Sequence, residues 1–180
     1  GNHWLENIIS LIISSLQFDS SESEKIYKNS IINLKEELDS QILKDGGHQE
    51  RSASYHILLL DRLTELAIII EYFKKERPIW LIKNIYLMVK WLEIASLENE
   101  KIPRFNDSPC NLYDSKSDIL NFAKSFLNKE RNVLSPIRKD LIKLIFKNDI
   151  KNICKRSTST DKKLGIRELK DTGWYFLRPG

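Results

Sequence analysis

The chain of 180 residues carries three histidines, His3, His48 and His56. Each stands among other polar residues at a helix start or in a loop. His3 follows Asn2, His48 lies within Asp45-Gly46-Gly47-His48-Gln49-Glu50-Arg51-Ser52, and His56 follows Tyr55. An imidazole exchanges protons near neutral pH, and a tyrosine hydroxyl does so once its pKa is lowered. The set therefore offers proton-transfer chemistry. A plainer reading uses the same residues as structure: Asn2 caps a helix, the two glycines make a turn, and the remaining groups are satisfied polar contacts. Spacing alone leaves both open.

Composition removes several classes of function. Cys110 and Cys154 are too few for a disulfide framework or a cysteine-based zinc site, and no metal or other cofactor is expected. The formal charge is +4, with the charges spread along the chain, so nothing points to nucleic acid. The most apolar region, residues 78–97, is interrupted by Lys83, Asn84, Lys90 and Glu93, which argues against a membrane span. The chain starts Gly1-Asn2-His3 and stops at Arg178-Pro179-Gly180 just after a strand-like run, and it reads as a piece of a longer protein.

The elements that must position these groups are mostly helical. Residues 4–18 place apolar side chains at 4, 5, 8, 9, 11, 12, 13 and 16, a helix with a broad buried face. Ser21-Glu22-Ser23-Glu24 opens a second helix as a capping box, and Ile31, Leu34, Leu38 and Ile42 carry it to about residue 43. Asp45-Gly46-Gly47-His48 stops that helix. Ser52 or Ser54 caps a third helix to about residue 75, and Pro78 opens a fourth to about residue 97. Both are apolar nearly all round and should be central. Residues 102–109, Ile-Pro-Arg-Phe-Asn-Asp-Ser-Pro, form an irregular loop of the kind that often carries function. Shorter helices follow at 116–128 and 135–146, the second opened by Ser135-Pro136. Beyond a polar linker at 156–163, residues 164–169 and 173–177 read as two strands around a turn, with little sheet to lean on. Helices followed by strands without alternation suggest two domains, 1–155 and 156–180.

Four segments carry a resemblance. The run from Asp45 to His56, Asp-Gly-Gly-His-Gln-Glu-Arg-Ser-Ala-Ser-Tyr-His, resembles a signature of the heparinase II/III-like polysaccharide lyases. Asn2-His3-Trp4-Leu5-Glu6-Asn7 is similar to that family's earlier Asn-His segment. Residues 102–108 are similar to its later aspartate-ending loop, and Asp171-Thr172-Gly173-Trp174-Tyr175-Phe176 to the first strand of its β-sandwich. The Asp45–His56 run is the most specific of the four. The resemblance implies a mainly α chain: part of an α/α toroid of antiparallel helix pairs, then short C-terminal strands that start a β-sandwich. The earlier helix pairs and the rest of the sandwich would be supplied by sequence outside this chain.

The resemblance also implies a reaction, β-elimination at a uronic acid, on an acidic polysaccharide such as a heparan-sulfate-like or alginate-like glycan. Asn2 would hydrogen-bond the uronate carboxyl group and stabilise the enolate-like state. Tyr55 would protonate the leaving oxygen, and in some substrates also take the proton, and His3 would act beside the carboxylate or as base. A further catalytic histidine is expected on the sandwich, so this segment alone should be inactive. Trp4, beside Asn2 and His3, is the candidate sugar platform, whereas Trp80 and Trp91 suit a core. His48, Arg51 and His56 are candidate substrate contacts. Arg51 could instead pair with Glu50 to hold Tyr55, and His56 could support rather than touch substrate. Asn106 and Asp107 suit loop ordering. The family setting implies a bacterial cell envelope or periplasm. Two other readings stay open: a catalytically inactive glycan-binding relative, and a helical-repeat domain that binds a protein partner.

Overall fold

A computed structural model describes residues 2–74, 76–96, 102–108, 116–129 and 165–178, without the side chains of residues 2 and 178. The helix expected at 135–146 and the linker at 156–163 lie outside the described residues, as does the boundary between the two expected domains. The described elements are helices α1 (Asn2–Ser15), α2 (Ser21–Gln41), α3 (Ala53–Lys74), α4 (Ile79–Ala95) and α5 (Lys116–Leu127), followed by strands β1 (Gly165–Leu169) and β2 (Trp174–Arg178).

Five residues join α1 to α2, and the two pack on each other, as a short connection between helices requires. On α1 the stripe Leu5, Ile8, Ile9 and Ile12 is buried, while Trp4 and Leu11 face out. The start of α2 falls one residue earlier than the sequence suggested. Ser20, not Ser21, is the N-cap, and it exchanges hydrogen bonds with Ser23, its Oγ accepting from the Ser23 amide at 3.1 Å. Glu24 is not needed for the cap and instead pairs with Lys74 at the end of α3, at 2.5 Å. Ser52 opens α3, its Oγ accepting from the Tyr55 amide at 3.3 Å, and Ser54 lies inside the helix. Pro78 occupies the N-cap of α4.

The α3 helix is central. It packs on α1, α4 and α5, and from Leu59 to Ala67 every residue is buried. Burial all round explains why its apolar residues show so little sidedness in sequence. The enclosed charges on it are compensated. The Arg62 guanidinium reaches Glu65 at 2.5 Å one turn on, and its Nε reaches both carboxylate oxygens of Glu6 on α1 at 2.9 and 3.2 Å. Charges out of water persist only when paired in this way.

The strands form a two-stranded antiparallel hairpin, Leu169 opposite Trp174 and Gly165 opposite Arg178. Alternation puts Leu169, Trp174 and Phe176 on the face toward the helices, and Ile166, Tyr175 and Leu177 on the exposed face. The hairpin packs on α4, where Trp174 meets Trp91 with ring centroids 5.2 Å apart. No helix among the described residues is long and apolar enough to cross a membrane.

Candidate functional site

The glycine-containing loop between α2 and α3 is built against two neighbours. A bridge between Ile42 and His48 closes it, and the Leu43 amide donates to the Gly47 carbonyl at 2.8 Å. Gly46 has φ +89°, the left-handed region that favours glycine, and a Cβ there would run into the Leu87 carbonyl of α4. Gly47 lies so close to Thr172 and Trp91 that a Cβ would overlap the threonine hydroxyl and the indole nitrogen. The glycines therefore do more than turn the chain. They let the loop lie directly on α4 and on the hairpin turn.

Asp45 uses that approach. Its Oδ2 accepts from the Thr172 amide at 2.6 Å, and its Oδ1 accepts from the Thr172 hydroxyl and the Gly47 amide, both at 3.0 Å. The Thr172 Oγ1 in turn accepts from Trp91 Nε1 at 2.8 Å. Thr172 is fully buried, and every polar atom of its side chain is satisfied. This clamp joins the α2–α3 loop, α4 and the hairpin turn. Sequence reading singled out none of Asp45, Thr172 or Trp91 as a unit, since nothing local marks them as partners.

A second set of bonds docks the loop at 102–108 onto the start of α3. The Ser52 hydroxyl donates to the Asp107 carbonyl at 2.9 Å and meets the Ser108 hydroxyl at 3.1 Å. The Asn106 amide donates to the carbonyls of Glu50 and Arg51, both at 3.1 Å. Asn106 is the loop-ordering group that the sequence suggested, acting through its side chain, whereas Asp107 acts through its backbone carbonyl. The serine of the signature thus caps α3 and anchors the later loop at once.

The two histidines of the signature are enclosed. Both were candidate substrate contacts, His56 alternatively a support, and both are buried among the described residues. His56 is 0% exposed. Its Nε2 donates to the Met88 carbonyl at 3.0 Å and its ring stacks on Trp91 at 4.2 Å. Its Nδ1 has no hydrogen-bond partner among the described residues. Burial pushes its pKa down to about 3. His48 Nε2 donates to Gln41 Oε1 at 3.3 Å and its Nδ1 accepts from the Glu50 amide at 3.3 Å, a pattern that fixes the neutral tautomer. Burial pushes its pKa down to about 4. Burial favours the neutral form of both rings, and His48 lies against the Tyr55 ring.

Tyr55 is half-buried, its ring meeting His48 edge-on with centroids 6.4 Å apart. Its hydroxyl makes no hydrogen bond among the described residues. His3 and Trp4 are exposed on α1, Trp4 by 48%. Arg51 is exposed with φ +52°, and it makes no ion pair with Glu50. Its guanidinium is thus not what holds Tyr55. The Asn2 side chain lies outside the described residues. Of the tryptophans, Trp91 is in the core, and Trp80 is partly buried against the core cluster. No group of three or more His, Cys, Asp or Glu side chains among the described residues is placed to hold a metal ion.

The match to known sequences decides what this arrangement belongs to. The family model described as heparinase II/III N-terminus matches residues 1–132. The chain belongs to the heparinase II/III family. Comparison with curated proteins and with solved structures finds no match. The Asp45–Ser52 run has two structural tasks inside it, the clamp to Thr172 and the dock for the 102–108 loop, and of the signature they leave Gln49, Glu50 and Arg51 exposed and Tyr55 half-buried.

Proposed function

We propose that the protein carrying this chain is a polysaccharide lyase that cleaves uronic-acid-containing glycans by β-elimination, with Tyr55, Asn2 and His3 as its reacting groups in this segment. The observation that carries the proposal is the ion pair between Arg62 and Glu6, which ties α3 to α1. Tyr55 lies seven positions before Arg62, and Asn2 four positions before Glu6. Both spacings return to nearly the same stripe of a helix. Two stripes that meet at Arg62–Glu6 support reading the starts of α1 and α3 as facing one cleft.

The chemistry follows from what a uronate demands. Its C5 proton is weakly acidic, because the neighbouring carboxylate repels the negative charge that develops when the proton leaves. A hydrogen bond from the Asn2 amide to that carboxylate lowers the cost of the enolate-like state. A base removes the C5 proton, the C4–O bond breaks as the C4–C5 double bond forms, and the Tyr55 hydroxyl donates its proton to the departing oxygen. His3, exposed beside Asn2, is the candidate for carboxylate contact or base. Trp4 offers a ring face for a sugar, and Arg51 a cation for an acidic one. His48 and His56, enclosed and neutral, hold the start of α3. The exposed apolar face of the hairpin, Ile166 and Leu177, supports reading it as the first strands of a larger β-sandwich. A bacterial cell envelope or periplasm fits such a substrate.

The test is turnover of a panel of uronic-acid polysaccharides by the full-length protein, followed by absorbance of the unsaturated product. Appearance of that absorbance on one polymer, and its loss in Tyr55→Phe, is expected. Absence of product on every uronic-acid polymer in the panel overturns the lyase reading.

A further inference from the structure

Between the loop at 102–108 and the hairpin lies a groove of about 490 Å³, lined by Pro103, Arg104 and Phe105 on one side and residues 173–176 on the other. Phe105 is 53% exposed, a large apolar ring in open solvent. It meets Trp174 edge-on with centroids 5.0 Å apart, so the two rings form a corner. The corner is anchored on both sides. Asn106, next to Phe105, is held at φ +52° by its two bonds to the Glu50 and Arg51 carbonyls. Trp174 follows the turn that Asp45 clamps and packs on Trp91. A ring kept out of the core by a loop with this many anchors is a surface held ready for contact.

Arg104 supplies the charge. It is exposed, and its guanidinium makes no ion pair or hydrogen bond among the described residues. A planar guanidinium pairs with a carboxylate through two parallel hydrogen bonds, while an aromatic corner accepts the apolar C–H face of a pyranose. The volume suits one or two sugar rings.

We propose that this groove is a subsite for an acidic sugar, with Phe105 and Trp174 stacking the pyranose and Arg104 pairing with its carboxylate. The proposal rests on the reading of the protein as one that acts on acidic glycans, and it adds a second contact region at the junction of loop and hairpin.

The experiment measures binding of hexasaccharides to the full-length protein by calorimetry. The probes are oligomannuronate, oligogalacturonate and a heparan sulfate hexamer, with neutral cellohexaose as the uncharged control. Arg104→Gln should weaken the best acidic probe about tenfold, the scale of losing one charge-assisted contact, and leave cellohexaose unchanged. Phe105→Ala should weaken the same probe by about tenfold, since the buried face of one aromatic ring is lost. Melting temperatures should stay close to the parent's, because both side chains are exposed. Unchanged affinity in Arg104→Gln overturns the subsite, as does failure of all three acidic probes to bind. Binding is read without turnover. If Tyr55→Phe and the parent both bind but neither yields unsaturated product, the lyase reading falls and the subsite stands. If product forms and the Arg104 variant binds as the parent does, the subsite falls and the lyase reading stands.

Discussion

Replacing Asp45 by alanine should release the hairpin from the helices. The carboxylate accepts three hydrogen bonds, from the Thr172 amide at 2.6 Å and from the Thr172 hydroxyl and Gly47 amide at 3.0 Å. Bonds to a charged acceptor contribute about 1.5–3 kcal/mol each, and bonds to one carboxylate are not additive. A total of roughly 3–5 kcal/mol follows. The loss need not appear as global unfolding. The hairpin can swing away, so its own docking energy caps what is lost, and the helices keep the core that α3 organises. Asp45→Asn keeps the shape but turns an NH2 group toward at least one donor, so it should behave nearly as badly. Thr172→Val removes only the hydroxyl and should cost about 1–3 kcal/mol, because Trp91 Nε1 is left buried without its acceptor. Amide hydrogen exchange reads the effect directly: protection over residues 165–178 should collapse in Asp45→Ala while α3 stays protected. Emission from Trp91 and Trp174 should shift to the red as their contact opens. Unchanged protection of the hairpin in Asp45→Ala would refute the clamp.

Tyr55→Phe in the full-length protein should lower kcat by about 10²-fold to 10⁴-fold with little change in substrate affinity, the mark of a lost proton donor; near-normal turnover ends that role for Tyr55. Stability should fall as pH drops below about 6.5, the ordinary histidine value, because the unfolded chain takes up protons that folded His48 and His56 refuse until about pH 4 and 3. Each histidine adds a slope of about 1.4 kcal/mol per pH unit, and His48→Gln should make the melting curve between pH 6.5 and 5 visibly flatter. Gly46→Ala should cost roughly 2–4 kcal/mol in urea unfolding, from the left-handed backbone and the overlap with the Leu87 carbonyl. Arg62→Met removes the guanidinium beside buried Glu65 and should cost about 3–5 kcal/mol by the same measurement.

Much of the helical frame is local information and could be read from sequence. The stripe Leu5, Ile8, Ile9, Ile12 repeats at the helical period, and Ser52, Pro78 and the two glycines mark helix ends through their own stereochemistry. The strands were legible in the same way, because a short run of β-favouring aromatic and apolar residues, Trp174 to Leu177, follows a turn at 170–172. The family signature was legible too, since its residues are nearly contiguous. Which of those residues face a ligand was not. Tyr55 and His56 are neighbours on one helix, about 100° apart, and no pattern in α3 shows which one points outward when nearly every position is buried. Packing decided it: Met88 and Trp91 of α4 enclose His56, and no element among the described residues covers Tyr55 completely. Asp45 is the sharper case. Its partner Thr172 lies 127 residues away, and a carboxylate directly before two glycines looks in sequence like an ordinary turn residue. The sequence determined that a turn forms there. Only the tertiary structure, by bringing the Thr172 amide and hydroxyl within hydrogen-bond reach, decided that the turn's carboxylate holds the hairpin.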